Sequence, residues 1–235
     1  MSNANKHSGE TFAIARRDRQ HARARALPGH IQAKRGLQLD RVVLLGRTFE
    51  EYRRYFLLEP HELIGKRVLD VAGGVSSFCA EANDLGIKVT AFDPIYSLSR
   101  EKIRERSDPD LESVYRTIGL VPTYRWGFYK NADYMRALRE RASAIFFSDF
   151  QTNPMRYVAG ELPRLPFGDR TFDLTLVSYL LFAYQDRFEY EFHRYSILEI
   201  MRVTRGEAHL PGCDVRSTAE RIHSDAEIRS VAEGL

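Results

Sequence analysis

Residues 68–76 read Val-Leu-Asp-Val-Ala-Gly-Gly-Val-Ser, a short apolar run that ends in a pair of glycines. Such a run is typical of a buried parallel strand, and the glycines mark the turn that follows it. The pattern predicts a helix over 76–85, because Gly86 stands where a helix commonly ends. Residues 88–92, Lys-Val-Thr-Ala-Phe, then predict a second strand that ends at Asp93. The stretch is therefore a strand-helix-strand unit of the size expected for a right-handed crossover.

The glycine pair and Asp93 indicate a site for a ligand that carries a ribose. In open α/β sheets the ligand crevice lies at the carboxyl ends of the strands, and glycines let a ligand approach the backbone closely. Asp93 follows Gly74 by 19 residues, a spacing that suits a carboxylate bonded to ribose hydroxyls. A dinucleotide fingerprint would need a third glycine, which is missing, and Asp70 would repel a pyrophosphate. The same acid favours a cationic group such as an ammonium. The residues therefore favour S-adenosylmethionine, which joins a nucleoside to an amino acid, over a nicotinamide cofactor.

The rest of the chain continues the alternation of strands and helices. Apolar runs predict a third strand at 156–159 and a fourth at 172–177, with a weak fifth at 207–210. A mainly helical insertion covers about 97–155, and we expect its helices over the mouth of the site. A further amphipathic helix covers about 186–203. We therefore predict an α/β fold with a doubly wound, mostly parallel sheet and helices on both faces.

Composition divides the chain into three parts. Residues 1–47 predict a basic extension, partly disordered or helical, that contains a run of arginines. Residues 48–213 are the predicted α/β domain, which opens on a capping box with Thr48 as N-cap and Glu51 three positions later. Residues 214–235 form a C-terminal tail without apolar alternation, which predicts a helical or disordered segment.

Composition also limits the class of protein. The 235 residues are 43% hydrophobic and 29% charged, which are ordinary values for a globular protein. No apolar run approaches the roughly 20 residues that a membrane-spanning helix needs, and the first residues lack the apolar core of a secretory signal. The two cysteines, Cys79 and Cys213, are too few for a disulfide framework. We therefore expect a cytoplasmic protein that does not bind a membrane, and we predict no metal site.

The motifs resemble those of the class I S-adenosylmethionine-dependent methyltransferases. Residues 68–74 are similar to the family's first motif, D/E-x-G-x-G, with Ala72 in place of the first glycine. Phe92-Asp93 matches the family's ribose-binding acid. Residues 165–174, Leu-Pro-Phe-Gly-Asp-Arg-Thr-Phe-Asp-Leu, resemble the family segment L-P-F-x-D-x-x-F-D. The resemblance covers about residues 48–207, and it is strongest to an uncharacterised bacterial subgroup.

The resemblance implies a set of residues around S-adenosylmethionine. The turn after the first strand and its acid would face the methionine part, the acid after the second strand would hold the ribose, and the residues after the third strand would meet the adenine. For the acid after the third strand, Glu161, an exposed loop charge is an equally open interpretation. The implied cofactor-binding residues are Asp70, Ala72, Gly73, Gly74, Ser77, Asp93, Pro94, Glu161, Leu162 and Ser178.

The resemblance further implies methyl transfer from S-adenosylmethionine, and we expect a small-molecule acceptor. One alternative is an RNA or protein methyltransferase that uses the basic N-terminal arm to bind nucleic acid. Another is a non-catalytic S-adenosylmethionine-binding module, since the sequence is expected to lack the antiparallel hairpin that ends the family's sheet. No residue is assigned as catalytic. His193 is the candidate if the acceptor needs a general base.

Overall fold

The computed structural model describes residues 42–118, 126–181, 184, 187–210 and 220–221. They form one sheet of six strands in the order β3-β2-β1-β4-β5-β6. The first five strands pair in parallel, and β6 pairs antiparallel with β5. The predicted doubly wound, mostly parallel α/β sheet is therefore confirmed. The strands are β1 (Arg67–Val71), β2 (Lys88–Phe92), β3 (Tyr157–Val158), β4 (Phe172–Val177), β5 (Thr204–Leu210) and β6 (Glu220–Arg221).

The position of β1 in the centre of the sheet explains why its sequence is apolar almost throughout. It is paired on both sides, so that Val68 lies between Val89 of β2 and Leu174 of β4. Both of its faces are covered by other elements, and Val68 and Leu69 are each fully buried. A strand covered on both faces needs apolar side chains at successive positions rather than at alternate ones.

Helices cover both faces of the sheet. On one face, α1, α3 and α5 pack over a core that contains Val68, Phe78 and Phe146. On the other face, α6 packs with Ile197 and Ile200 against a core that contains Leu69. The helices are α1 (Phe49–Tyr55), α2 (Pro60–Leu63), α3 (Phe78–Asp84), α4 (Arg100–Ile118), α5 (Ala132–Thr152) and α6 (Tyr190–Val203).

The predicted helix start at Thr48 is confirmed in atomic detail. The Thr48 side chain accepts a hydrogen bond from the Glu51 backbone N–H, and the Glu51 side chain accepts one from the Thr48 backbone N–H. Within the predicted insertion at 97–155, the structure has two helices, α4 and α5, which pack against each other. Only Arg106 of this insertion reaches the cavity described below, as far as the described residues show. The expectation that its helices cover the mouth is met at that residue alone.

Several element boundaries differ from the predicted ones for local reasons. β1 ends at Val71 rather than at Ala72, since Ala72 has a φ of 59° and begins the turn. α3 begins at Phe78, after a turn in which the Ser76 N–H donates to the Gly73 carbonyl and the Ser77 N–H donates to the Arg47 carbonyl.

The two ends of the predicted domain need correction. Residues 42–47, predicted as part of the extension, pack on the domain and are described with the site below. The tail, expected to be helical or disordered, contributes the short strand β6 at Glu220 and Arg221. Residues 1–41, 211–219 and 222–235 lie outside the described residues, and the predictions made for them stay predictions. In the described parts of the chain, no helix combines the length and apolar character needed to cross a bilayer.

Candidate ligand-binding site

A cavity of about 290 Å³ opens at the carboxyl ends of the strands. It lies beside β1, which has β2 on one side and β4 on the other. The chain first builds the sheet from β1 through β2 to β3 and then continues on the opposite side with β4 and β5, so the strand order reverses next to β1. Open α/β sheets bind their ligands at this reversal. The volume is at the lower end of the range for small-molecule sites.

Most of the residues predicted for the site line this cavity. They come from four successive strand ends, which the sheet places side by side: after β3, after β2, after β1 and after β4. Asp70 and Ser77 do not line it. The predicted residues that do are Ala72, Gly73, Gly74, Asp93, Pro94, Glu161, Leu162 and Ser178.

The turn after β1 depends on its two glycines for different reasons. Gly74 has a φ of 53°, a backbone conformation that favours glycine. Gly73 has no room for a side chain, because an added Cβ would lie 2.8 Å from both the Asp70 Oδ2 and the Tyr96 hydroxyl. The turn is therefore a bare stretch of backbone on the cavity wall, with polar groups directly beneath it.

Asp93 presents its carboxylate to the cavity in a fixed orientation. Its Oδ2 accepts a hydrogen bond from the Gly74 backbone N–H at 3.1 Å, and its Oδ1 accepts one from the Ile95 backbone N–H at 3.0 Å. Burial raises the pKa of Asp93, although these two hydrogen bonds and the charge of Arg106 act in the opposite direction. Each oxygen keeps a further lone pair, so the carboxylate can accept two hydroxyl groups of a ligand.

Asp70 is not where the sequence predicted it. Its side chain is buried behind the turn, and both carboxyl oxygens accept the hydroxyl of Tyr52 of α1, at 3.0 and 3.2 Å. Burial raises the pKa of Asp70 to about 8, and the hydrogen bond from Tyr52 only partly offsets this effect. Asp70 therefore does not line the cavity, because the acid at that strand position points into the core, and its contact with a ligand ammonium stays a prediction.

Of the two serines after the glycine turn, Ser76 lines the cavity and Ser77 does not. Ser77 is buried and donates its hydroxyl to Glu81 Oε2 at 2.6 Å. Ser76 lines the cavity, and its hydroxyl oxygen accepts the Arg47 backbone N–H at 3.0 Å. The Ser77 backbone N–H donates to the Arg47 carbonyl at 3.0 Å. The protein's own backbone thus covers the start of α3, where a dinucleotide pyrophosphate would lie.

Residues 42–47, here called the strap, form a wall of the cavity that the sequence did not predict. The Leu44 backbone N–H donates to Asp110 Oδ2 of α4 at 2.9 Å, in buried surroundings. On the opposite side, the Val43 backbone N–H donates to the Tyr184 hydroxyl at 3.4 Å. Gly46 packs on the carbonyl oxygen of Val75 so closely that any side chain there would collide with it. The strap is thus held between α4, the glycine turn and the segment that follows β4.

Arg47 brings a positive charge to the end of the cavity near Ser76. Its guanidinium lies against the ring of Tyr179, with Cζ 4.2 Å from the ring centroid, and 5.9 Å from the centroid of Tyr55. Tyr179 follows β4 directly and has a φ of 52°, an uncommon conformation for a residue with a large side chain. Burial raises the pKa of Tyr179 to about 12, so its hydroxyl keeps its proton at neutral pH. The sequence carried no signal for Arg47, since it lies outside any recognisable motif.

The remaining wall is aromatic and comes from the start of α6 and the residues before it. Phe188 and Phe192 line the cavity and stack on each other with ring centroids 4.4 Å apart. His193, the candidate base, is buried with its ring edge-on to both of these rings and does not line the cavity. Burial lowers the pKa of His193, which favours its neutral form. His193 therefore lies outside the cavity in the described part of the chain, and its role as a general base stays a prediction.

Fold and site together define an α/β protein with a ligand cavity at the reversal of its strand order. The chain is 38% identical over 172 residues to an uncharacterised protein of Methanocaldococcus jannaschii, across 72% of this chain and 77% of that protein. The chain belongs to the same family as this archaeal protein. The expected bacterial subgroup stays a prediction. No family model matches the chain.

Solved structures with some likeness to the chain include two methyltransferases. A proposed S-adenosyl-L-methionine-dependent methyltransferase of Methanococcus maripaludis is 13% identical with a TM-score of 0.37, over 79% of this chain and 59% of that one. A protein of Pyrococcus horikoshii is 16% identical with a TM-score of 0.36, over 78% of this chain and 76% of that one. A SAM-dependent methyltransferase of Aquifex aeolicus is 15% identical with a TM-score of 0.31, over 79% of this chain and 85% of that one. TM-scores of this size assign neither a ligand nor an activity to the chain.

Proposed function

We propose that the cavity binds S-adenosylmethionine and that the chain transfers its methyl group to a small-molecule acceptor. The observation that carries this proposal is the order of chemical groups along the strand ends. Leu162 after β3, Asp93 after β2, the glycine turn after β1 and Ser178 after β4 line one cavity in that spatial order. Four strand ends about 4.8 Å apart span roughly 14 Å. This length suits an extended nucleoside joined to an amino acid.

The nucleoside end fits the residues beside β2 and β3. The Asp93 carboxylate, fixed by two backbone N–H groups, would accept the two ribose hydroxyls. Leu162, Pro94 and Ile95 supply an apolar wall for a planar base. Glu161 lines the cavity as well and would accept the amino group of adenine.

The amino-acid end fits Arg47 and Ser76, in a role that differs from the one expected of Asp70. A guanidinium binds a carboxylate through two parallel hydrogen bonds, and Arg47 lies on the cavity wall at this end. The Ser76 hydroxyl is held beside the same residue by the Arg47 backbone N–H. We therefore assign the methionine carboxylate to Arg47. Asp70 lies one layer deeper, behind the turn.

The chemistry asks little of the protein beyond placement. S-adenosylmethionine supplies a methyl group on a sulfonium, whose sulfur leaves as a neutral thioether when the acceptor's electron pair forms the new bond to carbon. The contribution of the chain is to hold the acceptor in line with the methyl group and to exclude water. Ser178 and Tyr179, next to the turn after β1, are the residues nearest to that point in the proposed arrangement. The Tyr179 hydroxyl keeps its proton and so would orient an acceptor as a hydrogen-bond donor.

A pair of ligands tests the proposed cofactor and its orientation together. S-adenosylhomocysteine contains both the nucleoside and the amino acid, whereas 5′-methylthioadenosine lacks the amino-acid carboxylate and ammonium. Both are titrated calorimetrically into wild type, Asp93→Ala and Arg47→Met. Asp93→Ala should weaken both ligands by about 1–3 kcal/mol, the scale for hydrogen bonds to a charged group. Arg47→Met should weaken S-adenosylhomocysteine by a similar amount and leave 5′-methylthioadenosine unchanged.

The control for Arg47→Met is Arg116→Met, which removes an exposed arginine away from the cavity. It should bind both ligands as wild type does. NAD is titrated in parallel, and wild-type protein that binds NAD but neither adenosyl ligand would refute the proposed cofactor.

The alternative of an RNA or protein acceptor depends on the basic arm, which lies outside the described residues. It predicts nucleic-acid binding that weakens with salt and disappears when residues 1–35 are removed. A non-catalytic module would bind S-adenosylhomocysteine as proposed but transfer no radiolabelled methyl group to any pool of small molecules, RNA or protein.

A further inference from the structure

Tyr52 of α1 lies beneath the cavity without lining it. Its side chain is fully buried, and its ring stacks on Phe78 with centroids 4.2 Å apart. Its hydroxyl donates to the carboxyl group of Asp70, at 3.0 Å from Oδ1. A buried hydroxyl needs such a partner, because an unsatisfied one would be costly. From the sequence alone, Tyr52 is predicted only to lie on the apolar face of a helix.

The same hydroxyl also connects two parts of the cavity wall. The side chains of Ser76, after the glycine turn, and of Ser178, after β4, act to lower the pKa of Tyr52, although burial raises it overall. Both serines line the cavity. The two strand ends are further joined by a backbone hydrogen bond from Ser178 N–H to the Val71 carbonyl at 3.1 Å. The hydroxyl that bonds the buried acid therefore lies beneath both rims of the proposed sulfonium site, on the side of Ser76 and Ser178.

We propose that Tyr52 is a positioning residue that couples the occupancy of this cavity by a cation to the ionisation of Asp70. The inference rests on the proposed function, since it requires a sulfonium near Gly73 and Ser178. Asp70 lies directly under Gly73, where an added Cβ would be 2.8 Å from its Oδ2. A cation on the other side of this bare backbone favours the ionised carboxyl, and binding then releases a proton. The hydrogen bond from Tyr52 stabilises that ionised form.

The groups that face Asp70 come from every element around it. Tyr52 approaches from α1, Cys79 from α3, and Asp93 and Tyr96 from the segment after β2. Arg47 of the strap acts on Asp70 as the opposing positive charge. Burial leaves the carboxyl largely protonated at neutral pH, so a change in the charge of the ligand can shift its ionisation.

The test compares S-adenosylmethionine with S-adenosylhomocysteine, which differ in the charge on sulfur. Affinities are measured by calorimetry from pH 6 to pH 8.5, in two buffers with different ionisation enthalpies so that released protons are counted. For wild type, the ratio of the two affinities should shift towards S-adenosylmethionine as the pH rises, by at most about tenfold per pH unit for one coupled proton. Tyr52→Phe should move this dependence to higher pH, because the carboxylate loses a donor.

Two further variants make the outcome decisive. Asp70→Asn should make the ratio of the two affinities independent of pH. If Tyr52→Phe does not fold, this variant tests the coupling between the charge of the ligand and the ionisation of Asp70. Tyr157→Phe is the matched control, because Tyr157 is a buried tyrosine that also donates to a carboxylate, Asp149 Oδ2 at 2.7 Å, but lies outside the cavity. It should reproduce the wild-type pH dependence.

The outcomes separate this inference from the proposed function. Binding of both ligands with a pH-independent ratio in wild type, or a Tyr52→Phe profile that superimposes on wild type, overturns the coupling and leaves the cofactor proposal standing. Failure of wild type to bind either ligand overturns both. A direct readout is the pKa of the Asp70 carboxyl by carbon NMR, which should fall when S-adenosylmethionine binds and fall less in Tyr52→Phe.

Discussion

The guanidinium of Arg139 pairs with the carboxylate of Glu51 at a site where 3% and 0% of the two side chains remain exposed. The pair joins α5 to the start of α1, next to the capping box. Burial raises the pKa of Glu51, but the charge of Arg139 and its hydrogen bond outweigh this, so the pKa is lowered overall. The Tyr129 hydroxyl completes the arrangement by donating to Glu51 Oε1 at 2.7 Å.

Removing one partner of this pair should destabilise the protein strongly. Arg139→Met leaves a buried carboxylate without its counter-ion, which costs about 3–5 kcal/mol. The double variant Arg139→Met/Glu51→Gln should recover a large part of this loss, because glutamine is neutral and can still serve in the capping box. Urea unfolding of the wild type, both single variants and the double variant measures the coupling. Additive losses in the double variant would contradict the ion pair.

The neutral state of Asp70 predicts an unusual dependence of stability on pH. The pKa of Asp70 is 3.8 in its unperturbed form and about 8 in the folded chain. Between these values the folded state keeps a proton that the unfolded state has lost, so stability falls as the pH rises, by up to about 1.4 kcal/mol per pH unit. Asp70→Asn removes this contribution.

The stability of wild type relative to Asp70→Asn should therefore decline from pH 5 to pH 8, as measured by chemical unfolding at each pH. The difference isolates Asp70, because Asp93 and His193 titrate in both proteins. Parallel stability curves would show that Asp70 is already ionised in the folded chain.

Gly73 should tolerate no side chain, for a reason unrelated to its backbone angles. The Cβ of Gly73→Ala would lie 2.8 Å from Asp70 Oδ2 and from the Tyr96 hydroxyl. The Tyr96 hydroxyl is held by the Gly74 carbonyl and Asp70 by Tyr52, so neither can move freely. We expect a loss of about 1–3 kcal/mol, typical of an overpacked site.

The control is Gly168→Ala, where the nearest atom to the added Cβ is the Thr171 Oγ1 at 3.5 Å, an ordinary contact. It should change the melting temperature little. A Gly73→Ala variant that melts at the same temperature as Gly168→Ala would contradict the close packing beneath the turn.

The sequence was most informative where a local pattern has a single structural solution. The capping box at Thr48 and the apolar run of β1 each follow from neighbouring residues, and the structure confirms both. The cavity residues at the strand ends were predictable because parallel strands bring their carboxyl ends together. Asp70 could not be placed, since the direction of its side chain depends on Tyr52, which lies 18 residues away on another element.

Arg47 and the strap show the other limit of sequence reasoning. Their position results from long-range hydrogen bonds to Asp110 and Ser76, which leave no periodic or motif signal. Residues 42–47 adjoin a basic stretch, so composition assigned them to an extension. Only the folded chain shows that they form a cavity wall.

The attachment of the strap to α4 provides the last prediction. Asp110 is 3% exposed, and its carboxylate accepts a hydrogen bond from the Leu44 backbone N–H. Asp110→Ala leaves this amide without its partner and should cost about 1–3 kcal/mol locally. Amide hydrogen exchange over residues 43–47 should become faster as a result, while the amides of β1 keep their protection. Asp110→Asn retains an acceptor oxygen and should exchange at nearly the wild-type rate. If the strap amides exchange equally slowly in Asp110→Ala, packing of Gly46 on Val75 holds the strap without this hydrogen bond.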